Sequence, residues 1–181
     1  MSIDPNHTQH DQPRRMGLWM VVAMWMIVIW LFTAFFAKWY EHDHNPNQHF
    51  ASVVKSNGVR EVVLQRNRQG HYVSSGYINN IPVTFMLDTG ASDISIPAHV
   101  AEQLGLQRGV QMQYQTANGS VWGYSTTLDS VAIGDIELYN VRASINPNVN
   151  ELDILLGMSF LKHIEFTQRG NTLTLRQLPS Q

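Results

Sequence analysis

An uninterrupted apolar run near the N-terminus constrains this chain more than any other feature. Residues 16–37 read MGLWMVVAMWMIVIWLFTAFFA, in which Thr33 is the only polar side chain. At a rise of about 1.5 Å per residue, a helix of this length crosses the roughly 30 Å hydrocarbon core of a bilayer. Trp39 and Tyr40 follow, where interfacial aromatic residues are expected. The run predicts a transmembrane anchor in contact with lipid.

Two other interpretations of the same run are a buried core helix and a cleaved signal peptide. A core helix normally keeps a polar face, and this run has none. A signal peptide usually has a shorter apolar region of about 7–15 residues followed by a small-residue cleavage site. An uncleaved anchor therefore fits best.

Charges beside the anchor predict its orientation. Arg14 and Arg15 precede it, whereas Lys38 on the far side is followed at once by acidic residues and histidines. Lys and Arg are enriched on the cytoplasmic side of membrane helices. We therefore expect a cytoplasmic N-terminus and an extracytoplasmic C-terminal part, on the periplasmic side of the inner membrane if the source is a Gram-negative bacterium.

Composition divides the rest of the chain and excludes several classes of function. Residues 1–15 are polar and predict a disordered tail, 38–60 predict a spacer, and 61–181 form the globular part. The net charge of −2 gives no reason to expect a nucleic-acid partner. The absence of cysteine excludes disulfides and thiolate chemistry. Histidines 42, 44 and 49 lie in the expected spacer, so we predict no metal site there.

Short alternating runs separated by tight turns predict an all-β fold for the globular part. Two short helices are expected within it, one between Pro97 and Gly105 and one in MSFLKH after Gly157. The expected turns are RNRQG at 66–70, Asn79-Asn80, Gly134-Asp135 and Arg169-Gly170. Such a pattern is typical of a barrel or a sandwich.

One aspartate stands where an apolar strand gives way to a turn, in PVTFMLDTGASDISIP at 82–97. A lone ionised carboxylate in apolar surroundings shifts its pKa or finds partners, so Asp88 needs support. Gly90 lets backbone amides approach the carboxylate, and Thr89 adds a hydroxyl group. A carboxylate held rigidly in this way suits general acid–base chemistry. The simpler interpretation is an Asx-type turn that closes a hairpin.

Three motifs in order resemble a known family. FMLDTGAS is similar to the active-site signature of aspartic proteases, and DILLGMSFL at 153–161 resembles their downstream apolar pair ending in glycine. Between them, QMQYQTANGSVWGYS resembles the β-hairpin flap of retroviral-type, or retropepsin-like, proteases. The Asn118-Gly119 pair is a strong hairpin signal. With the anchor, the chain is most similar to membrane-tethered retropepsin-like proteases of bacteria.

The resemblance implies a closed acid-protease β-barrel and aspartic endopeptidase activity without a metal or an organic cofactor. It implies a catalytic role for Asp88, Thr89 and Gly90. It also implies contacts with a peptide substrate at Ala91, Ser92, Ala117, Asn118, Gly119 and Trp122, and structural support from Leu155, Leu156 and Gly157. Tyr114 and Tyr124 are weaker flap candidates. Each flap aromatic has the alternative of packing on a strand face.

Aspartic proteases use two aspartates, and this sequence has Asp-Thr-Gly only once. Asp129, in LDSVAIG, lacks the following small hydroxyl residue and glycine, so we expect an ordinary strand-end aspartate there. The resemblance therefore implies a homodimer in which Asp88 of two copies forms the pair and Thr89 bonds across the interface.

Two departures from the retroviral pattern predict a weaker dimer. Retroviral enzymes tend to have an acidic residue where Ser92 stands and an arginine soon after the downstream glycine, where this chain has Met158 and Ser159. Membrane tethering would compensate by raising the local concentration of chains. The alternative function is a non-catalytic, membrane-anchored dimerisation or peptide-binding module built on the same barrel.

Overall fold

A computed structural model describes residues 12–116, 119–149 and 153–179 of the chain. The chain divides into two compact units, residues 1–41 and 42–181. Helix α1 (Gln12–His44) makes up the described part of the first unit and ends just inside the second. Within its segment Gly17–Glu41, an 18-residue window has a mean hydropathy of 2.4 and no buried residue, so the segment is long and apolar enough to cross a membrane.

The second unit is mostly β, as expected. Its described residues form eleven strands and two short helices. In chain order these are β1 (Ser52–Val54), β2 (Arg60–Gln65), β3 (Val73–Ile78), β4 (Ile81–Leu87), β5 (Ile94–Pro97), α2 (Ala98–Gln103), β6 (Gln111–Thr116), β7 (Gly119–Ile133), β8 (Ile136–Asn146), β9 (Ile154–Leu156), α3 (Met158–Leu161), β10 (Glu165–Arg169) and β11 (Thr172–Gln177).

The larger sheet has seven strands in the order β3-β4-β9-β5-β8-β7-β6. It curls so that β3 also meets β7, through the pairs Tyr77–Ala132 and Ile78–Val131. The predicted barrel is therefore present, but these two residue pairs close it only along a short edge. The predicted all-β fold with short helices is confirmed.

The smaller sheet has four strands in the order β1-β2-β11-β10, all antiparallel. Both sheets contribute to one core, which contains Val62, Leu64, Leu173 and Leu175 from the smaller sheet together with buried residues of the larger one, such as Phe85. A single continuous core explains why the two sheets belong to one compact unit.

Local turn chemistry produces the expected hairpins. Asn79 and Asn80 both have positive φ, 49° and 64°, which matches the right-handed twist of β3 and β4. Gly134 joins β7 to β8 and Gly170 joins β10 to β11, also with positive φ. Helix α2 begins after Pro97, and Gly105 follows its end with φ of 66°.

Two expectations about neighbouring segments differ from the structure. We expected β2 and β3 to flank a tight turn as neighbours, but they lie in different sheets. We expected 38–60 to be a spacer, but it contains β1, and Asn45 and Asn47 are 5% and 2% exposed. Residues 42–60 therefore pack as part of the β unit, because buried amides in this segment bond to β2 and β3.

Candidate active site

Asp88 lies directly after β4, held against the neighbouring parallel strand β9. Its backbone N–H donates to the carbonyl of Leu156 at 3.1 Å. Its carboxylate oxygen Oδ1 accepts a hydrogen bond from the N–H of Gly90 at 2.8 Å. Asp88 is half-buried, while Thr89 and Gly90 are exposed. The carboxylate is thus fixed on one side and open on the other within a single chain.

The backbone of Gly157 packs directly against the loop that follows Asp88. The N–H of Met158 donates to the carbonyl of Ala91 at 2.8 Å. A Cβ on Gly157 would come within 2.6 Å of that oxygen and 2.2 Å of the carbonyl oxygen of Asp93. Glycine is required here by close approach of two backbone segments, and not by a positive φ.

Ser159, in the first turn of α3, forms two hydrogen bonds with the same loop, a role that the sequence motifs did not predict. Its N–H donates to the carbonyl of Ser92 at 2.9 Å, and its Oγ accepts from the N–H of Ile94 at 3.1 Å. The side chain is only 7% exposed. The sequence does contain a signal for this role: a serine stands among the apolar residues of MSFL, and a buried hydroxyl group needs hydrogen-bond partners.

An ion pair between Asp93 and Arg142 was also missed. Arg142 Nη2 and Nε lie 2.7 Å and 2.8 Å from Asp93 Oδ1. The hydrogen bond to Asp93 raises the pKa of Arg142 above its ordinary value, so the guanidinium stays charged. The two residues meet because β5 and β8 pair in parallel with Ile94 opposite Ala143. Nothing in the local sequence indicates that register.

The flap predicted from the sequence is a β-hairpin of β6 and β7, paired from Gln111–Tyr124 to Thr116–Gly119. Ala117 and Asn118, which we expected at its tip, lie outside the described residues. Tyr114 is paired with Val121 and Gln113 with Trp122, so Tyr114 and Trp122 point to opposite faces. Trp122 is 55% exposed and Tyr114 half-buried.

Tyr114 is the flap aromatic that faces the loop after Asp88. Burial raises the pKa of its phenol, and the negative charge of Asp93 raises it further, while Arg142 opposes the effect. The ring of Tyr114 also covers Gly123, where a Cβ would lie 3.2 Å from it. Tyr124 instead lies under the guanidinium of Arg108, with 5.4 Å between that group and the ring centroid.

The apolar pair predicted to support the site lies in β9. Leu155 and Leu156 are its last two residues, between β4 and β5, and Leu156 is fully buried. Ala91 is half-buried, and Ser92 is exposed. Asp129 lies within the long strand β7 and is exposed, so the expectation of a strand end was wrong.

The histidine segment is more ordered than we expected. His44 Nε2 lies 2.6 Å from Asp153 Oδ2, close to the start of β9. Its carbonyl accepts a hydrogen bond from Asn67 Nδ2 at 3.0 Å. Contacts within the β unit therefore hold His44 in place, although we expected it to lie in a spacer.

Known proteins share both the sequence and the fold. The family described as "gag-polyprotein putative aspartyl protease" matches residues 74–163. An uncharacterized protein of Sinorhizobium sp. is 29% identical over 167 residues, which cover 86% of this chain and 72% of that protein. An uncharacterized protein of Rickettsia prowazekii (strain Madrid E) is 30% identical over 152 residues, which cover 80% of this chain and 64% of that protein.

A solved structure matches as well. The crystal structure of a retropepsin-like aspartic protease from Rickettsia conorii superposes with a TM-score of 0.57 at 32% identity. The match covers 71% of this chain and 95% of that one, which is nearly the whole of the solved domain. The chain therefore belongs to the retropepsin-like aspartic protease family.

Proposed function

We propose that this protein is a membrane-tethered aspartic endopeptidase, active as a homodimer, in which two Asp88 carboxylates activate a water molecule. The observation that carries the proposal is the loop around Asp88. One carboxylate oxygen accepts the Gly90 N–H, the backbone is held by Leu156, and the other side of the group is open. A fixed but accessible carboxylate meets the geometric requirement for acid–base catalysis.

The reaction needs one Asp88 ionised and the other protonated. The ionised carboxylate takes a proton from water, whose oxygen attacks the peptide carbonyl carbon, while the protonated carboxyl donates its proton to the carbonyl oxygen. A tetrahedral diol forms. Its C–N bond breaks as a proton passes to the amide nitrogen, which leaves as an amine. Because two protonation states are required, the rate should be bell-shaped with pH and favour the acidic side. No metal or organic cofactor takes part.

Strand β10 offers a surface on which two copies would join. It is the edge of the smaller sheet, and all five of its residues are exposed. Antiparallel pairing of two β10 strands about Thr167 would place Glu165 of one copy opposite Arg169 of the other. Opposite charges facing each other across strands favour such a pair. The two-fold operation would use the same patch on both subunits, as an isologous dimer requires.

The β6–β7 flap supplies the other wall of the substrate cleft. An extended peptide would bind there chiefly through main-chain hydrogen bonds, as strands do when they add to a sheet. Gly119, with φ of 109° at the start of β7, lets the hairpin turn close to that peptide. Ala91 and Ser92 would contact the peptide from the opposite side.

Helix α1 would anchor the protease in the bilayer through residues 16–37. Its described side chains between Leu18 and Phe36 are exposed and apolar on all sides except at Thr33. Thr33 donates its hydroxyl to the carbonyls of Ile29 and Trp30, which reduces the cost of placing it in lipid. We place the N-terminus in the cytoplasm and the protease unit on the extracytoplasmic side.

The test is Asp88→Asn in the full chain in detergent micelles, assayed on a peptide library at pH 4–7. Asparagine keeps an oxygen that accepts the Gly90 N–H but cannot take a proton from water. We expect kcat/KM to fall by about 10³-fold with an unchanged thermal unfolding curve. The wild type should be blocked by a statine-type inhibitor. Asp129→Asn, an exposed aspartate on β7, is the matched control and should leave activity unchanged.

Mixing wild-type and Asp88→Asn chains tests whether two chains share one active site. When wild-type and Asp88→Asn subunits exchange freely in equal amounts, about one quarter of the dimers carry two aspartates. Activity should fall to that fraction of an all-wild-type sample, and to one half if each chain works alone. Retained turnover in Asp88→Asn would rule out the proposed catalyst. Peptide binding by the wild type without any cleavage would instead favour the non-catalytic module.

A further inference from the structure

The guanidinium of Arg142 is hydrogen-bonded to Asp93 on one side and exposed to solvent on the other. Its partner Asp93 is only 11% exposed, whereas the arginine side chain is 69% exposed. Two of the five N–H donors of a guanidinium are directed to Asp93 Oδ1. Asp93 thus fixes the position of the positive charge, and the outer donors face solvent.

Arg142 lies where three parts of the candidate site meet: the loop after Asp88, strand β8 and the flap. Asp93 follows the Asp88 loop and precedes β5, and Arg142 lies beside it on β8. Tyr114 of the flap is the third member, because its phenol lies close enough to interact with the charges of both Asp93 and Arg142. A peptide held between flap and loop would pass this cluster at a distance from the scissile bond.

Positive charge predominates beside this junction. Arg142 also lines a cavity of about 250 Å³ between β8 and α3, together with Lys162 and His163. No carboxylate lines that cavity in the described part of the chain. Asp93 neutralises one of the positive charges, and Lys162 supplies another. The local charge therefore favours an anion.

We propose that Arg142 is a specificity-determining residue that selects substrates carrying an Asp or Glu side chain in the segment that passes Tyr114. This inference rests on the proposed protease function. The guanidinium would donate its outer N–H groups to the substrate carboxylate, in the geometry that arginine and carboxylates share. Tyr114 would cover the aliphatic part of the same side chain and exclude water from the pair.

The experiment compares matched peptides that differ by Glu or Gln at one position, scanned over the four residues on each side of the scissile bond. The enzyme is the full chain in detergent micelles near the acidic optimum. We expect one position at which the Glu peptide has a kcat/KM about tenfold higher than its Gln partner. The difference should appear mainly in KM, since this contact is remote from the reacting atoms.

Three variants identify Arg142 as the source of that preference. Arg142→Gln should reduce the Glu-to-Gln ratio to about one, because kcat/KM falls about tenfold more for the Glu peptide than for the Gln peptide. Arg142→Lys should retain part of the ratio, because it keeps the charge but loses the forked donors. Arg176→Gln is the matched control: this exposed arginine pairs with Glu61 in the smaller sheet, where Lys55 still neutralises the carboxylate. It should keep the full ratio.

A structural role for the ion pair predicts a different result. Loss of Arg142 would then lower cleavage of all peptides together and lower the melting temperature, without changing the ratio. If Arg142→Gln fails to fold because Asp93 is left unpaired, the double variant Asp93→Asn, Arg142→Gln removes both charges, and it should also show a ratio of about one. An unchanged ratio in either variant overturns the inference.

Failure of this inference is distinguishable from failure of the proposed function. If the wild type cuts peptides but shows no Glu preference at any position, the protease stands and the specificity role of Arg142 is wrong. If the wild type cuts none of the Glu or Gln peptides and none of the wider library, the proposed function itself is wrong.

Discussion

At Gly157, the two loops of the candidate site come so close that a methyl group has no room. The obstructing atoms are the backbone oxygens of Ala91 and Asp93, which cannot rotate away as a flexible side chain would. Ala91 is itself bonded to Met158, so moving either loop breaks a hydrogen bond. The position of Asp88 therefore depends on a residue that has no side chain at all.

We predict that Gly157→Ala lowers the free energy of unfolding by about 3 kcal/mol, because the added methyl group would overlap backbone atoms that cannot move away without breaking hydrogen bonds. It should also lower activity, because the loop that carries Asp88 must shift. Thermal and urea unfolding of a fragment spanning 42–181 measure the first effect. Gly170→Ala is the control: its φ is 58° and no atom lies within 4 Å of an added Cβ, so we expect a loss of about 1 kcal/mol. Equal losses in the two variants would contradict the steric argument.

The residues of the candidate site differ in how far the sequence predicts them. Asp88 and Gly157 stand in motifs that can be read locally, and the structure brings their segments together. The pairing of Asp93 with Arg142 depends on the register between β5 and β8, which no short motif encodes. Among the flap aromatics the sequence favoured Trp122, which stays a prediction, while strand alternation places Tyr114 on the opposite face, near Asp93.

Among the elements, hairpins were predictable and sheet assignments were not. Asn79-Asn80 specifies its turn through two residues that tolerate positive φ, so the β3–β4 hairpin is encoded locally. Strand β2 has its longest pairing with β11, from Gln65–Thr172 to Arg60–Gln177. That pairing joins segments distant in sequence and is decided by shared burial in the core, so adjacency in sequence wrongly suggested β3 as its neighbour.

Asn47 joins the two sheets through a single buried amide. Its Nδ2 donates to the carbonyls of Gln65 at 2.8 Å and Val73 at 2.6 Å, and its Oδ1 accepts from the N–H of Gln65 at 2.6 Å. Gln65 ends β2 and Val73 begins β3, so the contact links strands of different sheets. A fragment that starts at residue 61 would lack this amide.

We predict that Asn47→Ala costs about 3 kcal/mol of unfolding free energy, because three backbone groups, among them the buried carbonyl of Val73, lose their hydrogen bonds to this amide. Urea unfolding of the 42–181 fragment measures the loss. Asn171→Ala removes an amide of the same size from an exposed turn and should change stability by less than about 0.5 kcal/mol. A loss in Asn47→Ala no larger than in this control would show that 42–60 behaves as a spacer after all.

At the scale of the whole molecule, the lack of cysteine allows the membrane topology to be mapped one residue at a time. We predict that Asn171→Cys reacts with a membrane-impermeant maleimide in intact spheroplasts, because the proposed topology places the residues after α1 on the extracytoplasmic side. His10→Cys should react only after the membrane is permeabilised. The reverse pattern would invert the topology. Labelling of neither residue before permeabilisation would place both ends inside.

The two edges of the smaller sheet differ in a way that limits how many chains can assemble. If β10 pairs with its own copy, the edges left to the smaller sheet, within the described residues, are the two β1 strands, each three residues long. Short edge strands are poor templates for further pairing. Growth into fibres through this sheet, which an open edge otherwise invites, would therefore stop at two chains.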